Sequence, residues 1–102
     1  MKRIIFHLKR LWKENGETVD LWNQILTGKK TSEWRDDTPY WRSRLLNPDG
    51  TPKVYVAWFV VGYPKNNKPR IEAPITNITV YPKEYQNPRI QIQFAMSTEV
   101  KE

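Results

Sequence analysis

The chain reads as a small α+β domain, a mixed or mostly antiparallel β-barrel with two short helices in its N-terminal half. Three observations predict this. At 102 residues it is one domain's worth of chain, enough for one modest core. Apolar residues alternate with polar ones near both ends, the period of a half-buried strand. The later strands follow one another with no helix between them, which suits an antiparallel sheet better than a doubly wound one. Closure into a barrel would remove exposed edges from so short a chain.

Each element has its own signal. From Arg3 to Trp12 the residues alternate, with Ile4, Phe6 and Leu8 facing one way and Arg3, Ile5, His7 and Lys9 the other. Glu14-Asn15-Gly16-Glu17 is a turn. Thr18 to Thr27 reads as a helix capped by Thr18, with Val19, Trp22, Ile25 and Leu26 as its apolar stripe and Gly28 at its left-handed end. Lys30 to Asp36 is a short strand with Thr31, Glu33 and Arg35 on one face and Ser32 and Trp34 on the other.

Asp36-Asp37-Thr38-Pro39 starts a second helix that runs to about Leu46, with Thr38 as N-cap and Trp41 and Leu45 on its buried side. Asn47-Pro48-Asp49-Gly50 ends it. Lys53 to Gly62 is an apolar strand buried on both faces. Tyr63 to Pro69 is a loop, and Arg70 to Val80 a strand that Pro74 places at an edge or a bulge. Tyr81 to Pro88 is a second loop. Arg89 to Met96 alternates, with Ile90, Ile92, Phe94 and Met96 inward, before a fraying tail. The whole is a single domain, 1–102, without repeats or linkers.

Composition narrows the chemistry. There is no Cys, which excludes disulfides, thiolate nucleophiles and Cys-based metal centres within this chain. The lone His7 makes a metal site or a Ser-His-Asp triad a poor reading against a half-exposed strand histidine. No phosphate-cradling glycine loop is present, and no metal or cofactor is expected. The longest apolar run, Val54 to Val61, is far short of the twenty or so residues of a membrane span. The start, Met1-Lys2-Arg3 followed by Ile4-Ile5-Phe6, resembles a signal peptide, but His7, Lys9 and Arg10 interrupt it, so the chain reads as cytoplasmic. Seventeen Lys and Arg against eleven Asp and Glu leave a formal charge of +6, which suits a polyanionic partner.

The informative stretch runs from Trp22 to Leu46. Lys29, Lys30, Arg35, Arg42 and Arg44 fall there among Trp34, Tyr40 and Trp41. Cations neutralise phosphate and aromatic rings stack on bases, the two requirements of single-stranded nucleic-acid binding. Bland readings stand beside this. Glu33 and Arg35 also suit a same-face ion pair, Lys29 and Lys30 a solvated turn, and Trp22 and Trp58 the core. The basic N-terminal run from Lys2 to Lys13 suits a solvated strand face, with contact to phosphate as its functional reading. Trp34 and Trp41 fit either core or ligand, and Trp12 is unassigned.

Gly28-Lys29-Lys30-Thr31-Ser32-Glu33-Trp34-Arg35 resembles the GxKxxExR signature of ASCH domains, and Ile25-Leu26-Thr27 before it is similar to the family's helix end. The resemblance covers Trp22 to about Leu46. It implies a small barrel of the PUA-like group and an RNA-related function in a cleft, with Gly28, Lys30, Glu33 and Arg35 as cleft residues. Together with Lys29, Trp34, Tyr40, Trp41 and Arg42 these form the expected nucleic-acid-binding set. RNA or a nucleotide, single-stranded rather than duplex, is the expected partner.

Some family members look like hydrolases of acetylated cytidine or of RNA. In an enzyme, Lys30 would act as base or charge stabiliser, Glu33 as general base and Arg35 as an oxyanion or phosphate contact. The chain departs from the amidohydrolase-type members at Glu33, where those carry a Thr nucleophile. The leading expectation is therefore a non-catalytic RNA-binding domain, with a small hydrolase or a protein-interaction module as alternatives.

Overall fold

The computed structural model describes residues 2–9, 11–82, 88–96 and 100–102, and only the backbone of Trp12 and Glu14. The chain begins with strand β1 (Arg3–Leu8) and a hairpin of β2 (Leu11–Glu14) and β3 (Glu17–Asp20). Helix α1 (Leu21–Leu26), strand β4 (Ser32–Asp36) and helix α2 (Pro39–Leu45) follow. Strands β5 (Val56–Val61), β6 (Arg70–Tyr81), β7 (Arg89–Phe94) and β8 (Val100–Lys101) complete it.

The main sheet runs β1-β5-β6-β7-β4, with β8 also paired to β6. Only β1 and β5 are parallel; the other pairs are antiparallel. This is the mixed, mostly antiparallel, barrel-like sheet with two helices that the sequence predicts. Among the described residues no ladder joins the terminal strands β1 and β4, so it is a half-barrel. None of the described helices is long and apolar enough to cross a membrane.

The N-terminal alternation holds as far as Leu8. Ile4, Phe6 and Leu8 are buried as expected. The strand then breaks, and the hairpin replaces the expected first half of a helix. Asn15 and Gly16 both have positive φ (53° and 80°) and form the two-residue turn between Glu14 and Glu17. Asn-Gly is the sequence that such a turn favours, because those residues tolerate the left-handed region best. Thr18 is therefore a strand residue. Asp20 caps α1, accepting the Asn23 N–H at 3.1 Å.

Helix α2 forms as its sequence dictates. The Thr38 hydroxyl accepts the Trp41 N–H at 3.3 Å and Pro39 opens the first turn. Arg42 and Arg44 occupy the last turn, where the dipole favours cations. The following turn is pinned by Asp49, whose carboxylate accepts the Thr51 N–H at 3.0 Å and its hydroxyl at 2.6 Å. These bonds hold the Asp49 carboxyl below its ordinary range.

β6 departs from its expected place at an edge. It is an interior strand of twelve residues whose first part pairs with β5 and whose later part pairs with β7. Pro74 sits at the handover. Its carbonyl accepts the Ala95 N–H at 2.9 Å, and a register shift follows between Ile75 and Asn77. The bulge half of the expectation is therefore correct. A proline fits an interior strand where pairing passes from one neighbour to the other.

The core gathers side chains from both helices and four strands. Ala57 and Phe59 of β5 meet Ile71 and Ala73 of β6, Ile90, Ile92 and Phe94 of β7, and Trp22, Ile25 and Leu45 of the helices. A line of rings crosses it. Phe94 lies 4.8 Å from Phe59, Phe59 lies 5.6 Å from Phe6, and Phe6 lies 6.2 Å from Trp41. β5 is buried on both faces, since Val56 and Val60 are covered as well.

Three end-of-chain and core expectations change. Met96 is 55% exposed, because β7 ends at Phe94. Val100 and Lys101 do not fray but pair with Ile71 and Arg70. Trp58 lies outside the core, with the guanidinium groups of Arg3 (4.3 Å) and Arg70 (3.5 Å) against its ring. Most of the Tyr81–Pro88 loop lies outside the described residues.

Two outcomes are expected from this packing. Phe59→Ala should cost about 3–5 kcal/mol in urea denaturation, the usual range for emptying a fully buried ring site. Asp49 stabilises the fold through a lowered folded-state pKa. Its contribution is complete above the unfolded value near 3.9 and fades as pH falls through the folded one. The stability gap between the protein and Asp49→Asn should therefore narrow below about pH 4 in pH-dependent melts.

Candidate nucleic-acid interface

The motif residues are placed by the end of α1. Gly28 has φ +79°, the left-handed conformation expected of it, and turns the chain toward β4. A Cβ there would lie 2.8 Å from the Met96 sulfur, so glycine suits the position on two counts.

β4 then pairs Glu33 with Ile92 and Arg35 with Ile90, both fully buried, so the two charged residues share the core-facing side. Charges in such a place need partners. Glu33 Oε1 lies 3.4 Å from Lys30 Nζ and 3.1 Å from Arg35 Nη1, with the three side chains 12%, 20% and 23% exposed. Arg35 also donates to the Trp34 carbonyl at 2.7 Å. Its guanidinium lies over the Phe6 ring at 4.7 Å and the Trp41 ring at 5.1 Å. Arg35 thus reaches from the terminal strand β4 to the terminal strand β1 and to α2.

A cleft of about 810 Å³ opens beside this contact, between β1 and α2. Five cations line it: Lys2, Arg3, Arg35, Arg44 and Lys53. Among the described residues no carboxylate does. Tyr40, Trp41 and Tyr63 supply its rings, and His7 its imidazole.

The cations are oriented by carbonyls and rings. Lys53 Nζ donates to the Ser43 carbonyl at 3.0 Å. Arg44 donates to the Tyr40 carbonyl at 3.1 Å and covers the Tyr40 ring at 3.5 Å. His7 Nδ1 lies 2.7 Å from the Gly62 carbonyl, and its ring stacks on Tyr63 at 4.2 Å. Among the described residues no ion pair forms at Lys2, Arg3, Arg44 or Lys53. Their charge is therefore not locally cancelled, and the concave shape concentrates it.

A second hollow, of about 340 Å³, lies on the far side of Arg35 and Trp41. Trp34, Asp36 and Arg89 complete it. Here the outer face of β4 contributes. The Trp34 ring lies 5.4 Å from Tyr81, with the Arg89 guanidinium over it at 4.4 Å.

The expected site residues separate into groups. Arg35, Tyr40 and Trp41 come together in the cleft. Trp34 faces the second hollow. Lys30 and Glu33 line neither; Glu33 holds Arg35 from behind, the same-face ion pair that was its bland reading, and Lys30 pairs with Glu33 rather than being only a solvated turn residue. Gly28 acts on the backbone, and Lys29 is an exposed turn residue. Arg42 points elsewhere, paired with Asp37 at 2.9 Å; that hydrogen bond and charge raise its pKa.

Sequence reasoning missed Lys2, Arg3, Lys53 and Tyr63 as a group. Their one signal was the acid-free basic run at the N-terminus. Nothing in the sequence brings Lys53 or Tyr63 to it. Trp22 is core as expected, and the Trp12 side chain lies outside the described residues.

Comparison with protein-family models, with curated proteins and with solved structures finds no match for this chain.

Glu33→Ala would leave the Lys30 and Arg35 side chains without their carboxylate in largely buried surroundings. A loss of about 1–3 kcal/mol is expected by urea denaturation. Breaking the half-exposed Arg42 pair with Arg42→Ala should cost under about 1 kcal/mol.

Proposed function

We propose that this protein is an ASCH-like, PUA-like RNA-binding domain that takes a single-stranded segment into the cleft between β1 and α2. The observation that carries the reading is the lining itself: among the described residues, five cations, four of them in no ion pair, three aromatic rings and no carboxylate. Phosphates gain from uncancelled, oriented cations, and unpaired bases gain from ring faces. The exposed rings Tyr40 and Tyr63 line a concavity rather than forming one flat patch, which favours a nucleic acid over a flat protein partner. The ASCH reading adds the helix end at Thr27, the left-handed Gly28 and the joined Lys30, Glu33 and Arg35. No observation favours the hydrolase alternative, because Glu33 is engaged by both cations and lines neither opening.

Fluorescence anisotropy with a labelled single-stranded RNA at 50 and 200 mM salt tests the reading. Affinity should fall with salt, with a log–log slope of about −0.7 per phosphate engaged. Arg44→Glu with Lys53→Glu should weaken binding roughly tenfold or more and flatten that slope. Binding that is absent at low salt, or indifferent to salt, removes the proposal.

A further inference from the structure

The two openings differ in chemistry yet share a wall. Among the described residues the charged groups lining the cleft are all cations. The hollow beyond it holds two cations, Arg35 and Arg89, one carboxylate, Asp36, and two indoles, Trp34 and Trp41. Arg35 and Trp41 line both. A carboxylate accepts hydrogen bonds and repels phosphate. It suits the exocyclic amine of a base, which is a donor. At about 340 Å³ the hollow is at the small end of ligand sites, far below the cleft.

We infer that the hollow between Trp34 and Trp41 is a base-binding site contiguous with the phosphate-binding cleft. This rests on the proposed nucleic-acid reading and deepens it. The ligand is then a strand whose phosphates lie along Arg44, Lys53 and Arg35. One unpaired base passes over Arg35 to stack at the Trp34 side, with Asp36 accepting from its amine. Cytosine or adenine is preferred over uracil, which has no exocyclic amine. The position of Arg35 makes the link: among the described residues it is the one cation in the cleft held by a carboxylate behind it, Glu33 at 3.1 Å, and the cation common to both openings.

Anisotropy with three labelled octamers tests this: oligocytidine, oligouridine and an abasic octamer carrying the same phosphates. Oligocytidine should bind tighter than oligouridine, and both tighter than the abasic strand. Trp34→Ala should weaken oligocytidine binding about 5- to 150-fold, the equivalent of one base stack, and leave abasic binding unchanged. Asp36→Asn, an exposed and conservative change, should shrink the cytidine-over-uridine preference without changing the salt slope. Trp34→Phe, which keeps a ring, should restore much of the affinity. Equal binding of oligocytidine and the abasic strand, or an unaltered base preference in Asp36→Asn, overturns the base site while the cationic cleft stands. Loss of all binding to the unmodified protein at low salt overturns both.

Discussion

The sheet of this protein is left open between β1 and β4, and the guanidinium of Arg35 spans the opening. It leaves the terminal strand β4, is held by Glu33 and by the Trp34 carbonyl, and rests on the rings of Phe6 and Trp41. A polar group placed at this seam must pack on rings and keep its hydrogen bonds at once. A guanidinium is suited to the task. Its flat face packs on aromatic rings while its edge takes hydrogen bonds. The line of rings from Phe94 through Phe59 and Phe6 to Trp41 ends there, so the core runs without a break to the floor of the cleft.

Function follows from how charge is distributed around that seam. The formal charge of +6 is spread over a chain whose cations meet different fates. Lys30 meets a carboxylate, as do Arg42 and Arg70. Arg35 is held by Glu33, while Arg3, Arg44 and Lys53 are oriented by rings and carbonyls, which fix direction without removing charge. Trp58 illustrates the same device beside the cleft, its ring 4.3 Å from the Arg3 guanidinium. Arg3 is thereby aimed while remaining a cation of the cleft wall.

How much was legible in the sequence depended on how local each signal was. Helix α2 was readable almost in full, because its cap, its proline and its buried Leu45 all act within one or two turns. The strand face shared by Glu33 and Arg35 followed from the pleat. The hairpin at Asn15-Gly16 was missed although its turn was seen, since Val19 fits both a helical stripe and a strand. Pro74 argued for an edge or a bulge, and the bulge was found inside the sheet, because a strand that changes neighbours can spare one N–H. Met96 continued the alternation of β7 on paper, but the ladder stopped at Phe94.

The sequence by itself determined helix α2, the mostly antiparallel mixed sheet, the left-handed turn at Gly28 and the face shared by Glu33 and Arg35. All of these rest on interactions spanning a few residues or on the two-residue period of a strand. Only the tertiary structure decided which cations share a cleft. Lys2 and Arg3 meet Arg44 and Lys53 because β1 pairs in parallel with β5, and that pairing brings the N-terminus beside the end of α2. Parallel pairing joins segments some fifty residues apart (Arg3 opposite Val56), a separation over which no local pattern carries information.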